Sequence, residues 1–277
     1  MASSIQHGAM TDTSGEELVT EDTIKKFNTL AGKKISMSYF SNHWFDGIKF
    51  PKAMATAAKN QGAMPWIRMC PWVDWDKQGK YKLSSIIDGV FDNELKQWGA
   101  DARAFGSKMV VEFGVEQNGD WFPWSRNITA DKFKSAYRHI INTVGNASGN
   151  IEWAIHLDVE GEKAFKNYDM PEVSWFGVSA YGEDPQRGAM KALASRYSEL
   201  VALGGGTKKY AVLEWSIGKD WDTKSFLQAL IDGNKFPKIS LISIWHEKTQ
   251  GEIDRRINST SANLAAYKSL ISNPIFI

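Results

Sequence analysis

KMVVEFG, residues 108–114, lies between two longer stretches of a different pattern, 91–106 and 130–145. The short run is rich in β-branched and aromatic residues. Its flanks repeat apolar residues every three or four positions and read as amphipathic helices. A strand set between two helices is the unit of a parallel sheet, because the chain must cross back over the sheet before it can run the same way again. The same rhythm recurs outward in both directions. Strands are predicted at 34–40 (KISMSYF), 63–70 (AMPWIRMC), 151–156 (IEWAIH), 174–180 (SWFGVSA), 209–214 (KYAVLE) and 239–245 (ISLISIW), and helices at 21–31, 50–61, 187–203 and 223–233. The short polar run 4–10 (SIQHGAM) supplies an eighth strand. Glu21 and Asp22 suit a helix start, Gly32 a helix stop, and Thr129 an N-cap. The expectation is a single α/β domain over residues 1–277, a (β/α)8 TIM barrel, for which about 250 residues is usual. A doubly wound open sheet is the competing architecture, but no Gly-rich nucleotide loop follows any strand.

The formal net charge is +1, so charge selects neither a nucleic-acid nor a membrane partner, and a neutral substrate is expected. No stretch is apolar for long enough to span a bilayer. Met1–Met10 lacks the basic-then-apolar pattern of a secretory signal, which leaves the compartment open: secreted if a leader was removed, cytoplasmic otherwise. The single cysteine, Cys70, lies in an apolar run and reads as buried. Twelve Trp is the unusual count. Half are expected in the core, and the rest at strand ends, where a flat indole face can stack on a sugar ring.

Barrel enzymes carry their chemistry at the C-terminal ends of the strands. Glu116 follows the strand 108–114 and Glu214 closes the strand 209–214. Alternation groups Glu112, Gly114 and Glu116 on one face if the extended chain continues, and likewise Tyr210, Val212 and Glu214. Two inward carboxylates from separate strand ends are what cleavage of a glycosidic bond needs, one to protonate the leaving oxygen and one to attack the anomeric carbon. Glu112 is the rival carboxylate. It is expected to be the buried partner of Arg68 on the neighbouring strand, since an unpaired charge inside a barrel is costly. His156 ends a strand and could face the cleft. His43 with Trp44, and Trp72 with Trp75, are candidates for distal sugar contacts or for loop packing. Asp74 and Asp76 lack further oxygen ligands in pattern, so neither a metal nor another cofactor is expected.

The local sequence adds a resemblance. VVEFGVEQNGDWFPW, residues 110–124, resembles the acid/base segment of glycoside hydrolase family 26 (clan A), through Glu116, Asn118, Gly119, Trp121, Pro123 and Trp124. SWFGVSAYG (174–182), YAVLEW (210–215) and ISIW (242–245) resemble that family's sixth, seventh and eighth strands, in the right order. The resemblance implies Glu116 as general acid/base and Glu214 as nucleophile. It also implies that Tyr181 orients Glu214, that Trp245 stacks under the sugar being cleaved, and that Trp121 and Trp124 border the adjacent subsites. Asn118, Arg68 and His156 complete the expected substrate-binding set. Three positions depart from the pattern. Val115 stands where the family has His, Trp215 where Phe is common, and Glu112 where a basic residue is frequent. The expected protein is a monomeric, retaining endo-β-glycanase acting on β-linked oligo- or polysaccharide, with β-1,4-mannan as substrate. The Val115 departure keeps mixed-linkage β-glucan and β-1,3-xylan open. A silent barrel that only binds carbohydrate is the reading from another class, and retention of both glutamates argues against it.

Overall fold

Eight parallel strands close into a ring in which each pairs with its neighbour in sequence and the last returns to the first. The strands of this computed structural model are β1 (Gln6–Met10), β2 (Met37–His43), β3 (Met64–Cys70), β4 (Met109–Phe113), β5 (Ile151–Asp158), β6 (Trp175–Ser179), β7 (Lys209–Trp215) and β8 (Ile239–Trp245). The helices are α1 (Glu21–Ala31), α2 (Lys52–Asn60), α3 (Leu83–Ile87), α4 (Asp92–Phe105), α5 (Ala130–Val144), α6 (Gly188–Ala202), α7 (Thr223–Asp232) and α8 (Ser261–Ile271). The structure describes residues 4–14, 18–74, 77–145, 149–181, 188–216, 223–233, 235–248 and 254–277. Two helices follow β3, and the β5–β6 connection carries only the 3-10 turn Phe165–Tyr168. The expected barrel is therefore present, including the polar first strand. Among the described residues no helix is long and apolar enough to cross a membrane.

Local chemistry explains the boundaries. Thr20 caps α1 by accepting from the Thr23 amide, Thr23 returns the bond, and Gly32 ends the helix in the left-handed region at φ 71°. Thr129 caps α5 through the Lys132 amide. The strand expected at 34–40 is displaced to Met37–His43. Its C-terminal half is polar but internally satisfied: Ser41 Oγ accepts from Arg68, and Asn42 Oδ1 accepts from Trp98. Periodicity overlooked α3 and α8. Only Tyr267 and Ile271 of α8 are buried, so its apolar pattern is faint, although Thr260 caps it through the Asn263 amide.

Two apolar layers hold the barrel. Inside the ring, Met10, Met37, Tyr39, Trp66, Val110, Ala154, Trp175, Ala211, Leu213 and Leu241 pack together. Between ring and helices lies the larger core, which includes Phe40, Ile67, Phe113, Val178, Val212 and Trp215. Ten of the twelve Trp are described and nine of them are buried, more than the half expected; Trp121 is the exception, 37% exposed. Above the inner layer the barrel turns polar, with Ser41, Arg68 and Glu112 in register across β2, β3 and β4.

Candidate active site

The segment after β4 does not continue as a strand. Gly114 has φ 60° and Glu116 φ 53°, the latter a left-handed conformation that a residue with a Cβ adopts at a cost of about 1 kcal/mol or more. Surrounding bonds hold it there. The Glu116 amide donates to the His156 carbonyl at 2.9 Å, and the Gly119 amide donates to the Glu116 carbonyl at 3.0 Å. Asn118 clamps the turn to the end of β5: its Nδ2 donates to the Asp158 carbonyl at 2.8 Å, and its Oδ1 accepts the Asp158 amide at 2.7 Å. A Cβ on Gly119 would meet the Trp121 ring at 2.5 Å, so a bare backbone lets the indole lie over the turn. Trp121 Nε1 then donates to Glu116 Oε2 at 2.7 Å. Glu116 reaches the site through this strained turn, not through the strand alternation that grouped it with Glu112.

Glu214 arrives by another irregularity. Val178 of β6 pairs with Val212, but the next residue, Ser179, pairs with Glu214, so β7 carries one extra residue. Leu213 and Glu214 are both turned inward: Leu213 packs in the inner layer, and Glu214 bonds to side chains within the ring. Tyr210 and Val212, which strict alternation placed on the face of Glu214, lie in the outer core. A Cβ on Gly177 would meet Leu213 Cδ1 at 2.3 Å, so this glycine makes room for the bulged leucine.

The two carboxylates have unlike surroundings. Glu214 Oε1 accepts from Arg68 Nη1 at 2.8 Å and lies 3.2 Å from the Tyr39 hydroxyl, while Oε2 accepts from Tyr181 at 2.7 Å. Burial pushes its pKa up, and Arg68 is the strongest opposing influence. Among the described residues no cationic side chain is hydrogen-bonded to Glu116, which accepts from Trp121. Burial, reinforced by the nearby Asp158 carboxylate, pushes its pKa up to about 7. Burial likewise raises Asp158, at the end of β5, to about 6. One oxygen of Glu116, one of Glu214 and a ring nitrogen of His156 lie within 4.8 Å of one another.

That trio has the spacing of a cation site, but its donors are already engaged. Arg68 neutralises Glu214, and both His156 nitrogens have partners, Nδ1 with Glu112 Oε1 at 3.0 Å and Nε2 with Ser179 Oγ at 2.9 Å. The arrangement reads as an ion-pair network.

Several expected positions need correction. Arg68 and Glu112 are register neighbours, yet they are not a pair. The long guanidinium crosses the barrel to Glu214, whereas Glu112 is met by Tyr39 at 2.6 Å, Trp66 Nε1 at 2.8 Å and His156 at 3.0 Å. Trp124 does not border a cleft. It is fully buried, donates to the Val115 carbonyl and stacks on Phe122 behind the Glu116 turn. Asn118 is also fully buried and serves the turn's backbone. His156 lies beneath the carboxylates, 1% exposed. Trp245 stands against the guanidinium of Arg68, 4.8 Å from its ring centroid, and its Nε1 donates to Glu247. Trp44 is core, and Trp72 bonds to His43. Trp75 and Asp76 lie outside the described residues. Sequence reasoning missed Tyr39 and Asp158. Tyr39 shares the inward phase of its strand with Ser41, and Asp158 lies two residues past the predicted end of its strand.

A closed parallel barrel thus brings two glutamates together from the ends of its fourth and seventh strands. No family model matches the chain. The chain is similar to Endoglucanase H of Acetivibrio thermocellus, 26% identical over 285 residues, which cover 92% of this chain and 30% of that protein. Thus it spans under a third of that relative's length. Among solved structures it is similar to the mannanase man26 of Bacillus subtilis, with TM-score 0.69 and 16% identity, covering 100% of this chain and 87% of that one. It is also similar to a β-mannanase from a symbiotic protist of the termite Reticulitermes speratus, solved with gluco-manno-oligosaccharide, with TM-score 0.71 and 16% identity, covering 99% and 88%. The resemblance to glycoside hydrolase family 26 read from the sequence is thus borne out as a likeness of fold.

Proposed function

We propose that this protein is a retaining endo-β-glycanase in which Glu116 is the general acid/base and Glu214 the nucleophile. The observation that carries the reading is the pair itself: oxygens within 4.8 Å, with Arg68 and Tyr181 bonded to Glu214 and Trp121 to Glu116. Retaining enzymes hold their carboxyls about 5–5.5 Å apart, and inverting ones about 6.5–9.5 Å, to admit a water. Glu214, surrounded by Arg68, Tyr39 and Tyr181, is suited to remain ionised and attack. Glu116, with its pKa near 7, is suited to hold a proton at neutral pH and deliver it to the leaving oxygen. Once the glycosyl-enzyme has formed, the Glu116 carboxylate takes a proton from water, whose hydroxyl displaces Glu214.

The sequence alone points to β-1,4-mannan, and the solved mannanases share the fold. Two observations favour a β-glucan as the second reading. The higher sequence identity is to a protein named an endoglucanase. And Val115, 1% exposed, presents no polar group where the mannanase-like pattern has His. Hydrolysis of β-1,4-mannan, mixed-linkage β-glucan and β-1,3-xylan, with the Glu116→Ala/Glu214→Ala double variant as control, distinguishes these substrates. NMR of the first-formed anomer tests retention. No turnover on any of the three would leave the carbohydrate-binding barrel as the reading.

A further inference from the structure

A retaining reaction moves a negative charge across the site. Before the first step Glu214 is a carboxylate and Glu116 carries a proton. As a Glu214 oxygen bonds to the anomeric carbon, the bond to the leaving oxygen breaks and the Glu116 proton goes to that oxygen. Glu214 is then a neutral ester and Glu116 a carboxylate. Water reverses the exchange, giving its proton to Glu116 and its hydroxyl to the anomeric carbon. A cation bonded to only one glutamate stabilises only one of these states. Arg68 is such a cation, 2.8 Å from Glu214. His156 is placed differently, with a ring nitrogen within 4.8 Å of oxygens of both glutamates.

We propose that His156 is a fixed cation shared by the two glutamates, the counter-charge of Glu214 before the glycosyl-enzyme forms and of Glu116 while it exists, and that Glu112 is the positioning residue that keeps the ring charged. The proposal rests on the retaining reading above. Its geometry is complete on every side of the ring. From β2, Tyr39 donates to Glu112 Oε1 at 2.6 Å, leaving its oxygen lone pairs toward His156 Nδ1 at 3.0 Å. From β3, Arg68 reaches Glu214. From β4, the Glu112 carboxylate faces Nδ1 at 3.0 Å, and the following turn brings Glu116. On β5 itself Asp158 lies two residues along. From β6, Ser179 Oγ meets Nε2 at 2.9 Å, and its lone pairs can accept that proton too; from β7 comes Glu214. Burial alone would lower the His156 pKa. Glu112, first among the opposing groups, outweighs it together with Glu214 and Glu116, and the ring titrates above the ordinary imidazole range. Glu112 conversely is held below the usual carboxylate range: burial would raise it, but His156, Tyr39 and Trp66 prevail. The position occupied by Glu112, frequently basic in family 26, thus carries the anion that supports a histidine cation.

Two variants, Glu112→Gln and His156→Gln, test this. In the wild-type protein with labelled histidine, the 15N shifts of His156 at pH 7 should be those of a doubly protonated ring, and Glu112→Gln should move them toward the neutral pattern. A neutral wild-type ring, or a ring still fully charged in Glu112→Gln at pH 8, overturns the proposal. In His156→Gln, which retains a hydrogen-bonding side chain without the charge, both limbs of the kcat/KM pH profile should move up by about one unit, because each carboxylate loses a stabilising cation. The rate on an aryl β-glycoside should fall about 100-fold. A purely structural role would lower the melting temperature and the rate while leaving both limbs in place, which also overturns it. Carboxyl 13C titration of Glu116 and Glu214 in the same variant reads the shift without turnover. Failure of the glycanase reading, no hydrolysis by wild type, is thereby distinguishable from failure of this proposal, unmoved titrations.

Discussion

The indole Nε1 of Trp121 donates to Oε2 of Glu116 at 2.7 Å, so the most exposed tryptophan of the described chain is tied to the carboxyl that burial pushes up to about 7. This bond favours the ionised form and opposes the upward pull of burial. Trp121→Phe removes the donor and keeps the aromatic face. The basic limb of the pH profile should move higher, and kcat/KM on glycans should fall about tenfold as the carboxyl loses its orienting partner. A basic limb that stays in place or moves lower would show that the bond does not act on Glu116.

The pKa of Glu116 is raised from 4.5 to about 7, so the native state binds a proton that the unfolded chain has released across that window. Stability conferred at low pH is therefore lost as pH rises from about 4 to about 8. Glu116→Gln cannot ionise. It should match wild type near pH 4 and exceed it at pH 8 by on the order of 2–3 kcal/mol in urea unfolding. Equal stability of the two proteins at pH 8 would contradict the placement of Glu116 in an apolar, anionic environment.

The roles of the glutamates are separable by chemical rescue. Glu116→Ala should still form the glycosyl-enzyme from a substrate with a good leaving group, and azide should restore turnover with the β-glycosyl azide as product. Glu214→Ala should be inactive on ordinary substrates, with azide giving the α product. Exchanged configurations would exchange the roles.

Two neighbouring tryptophans of one motif should behave in opposite ways. Trp124→Ala opens a cavity against Phe122 and Trp72 and should cost about 3–5 kcal/mol of stability. Trp121→Ala should cost under about 1 kcal/mol and lower activity instead. Thermal melts and rates measured side by side would reveal a reversal.

Gly177→Ala should be destabilising by about 1–3 kcal/mol although alanine is ordinary in a strand, because its Cβ would occupy the space of Leu213 Cδ1, 2.3 Å away. Activity should fall with it, since Leu213 precedes Glu214. A variant with wild-type melting temperature would mean that Leu213 moves freely.

The barrel was legible because its signals are local: a strand at 239–245 and a helix at 21–31 coincide with the observed elements to the residue. The glutamates were legible through motif context, but the route by which each turns inward was not. Alternation assumes an unbroken strand, and both glutamates sit at breaks, a left-handed residue in one case and an extra residue in the other. Trp124 and Trp121 are indistinguishable by composition; only packing assigns one to the core. The partner of Glu112 failed for a related reason. Register places Arg68 beside it, but reach decides the bond: the long side chain gives Nε to Ser41 and extends Nη1 across the barrel to Glu214.

The extra residue in β7 gives the strand something like a change of reading frame. Before it, Ala211 and Leu213 face the axis; after it, Glu214 does, and Trp215 turns out to Phe226 and Tyr267. The register recovers at once, with Ser179 opposite Glu214, as it would be if Leu213 were not counted. The pairing partner of the glutamate is thus set independently of the residue just before it. Leu213 fills the space above Gly177 while Glu214 stays opposite Ser179.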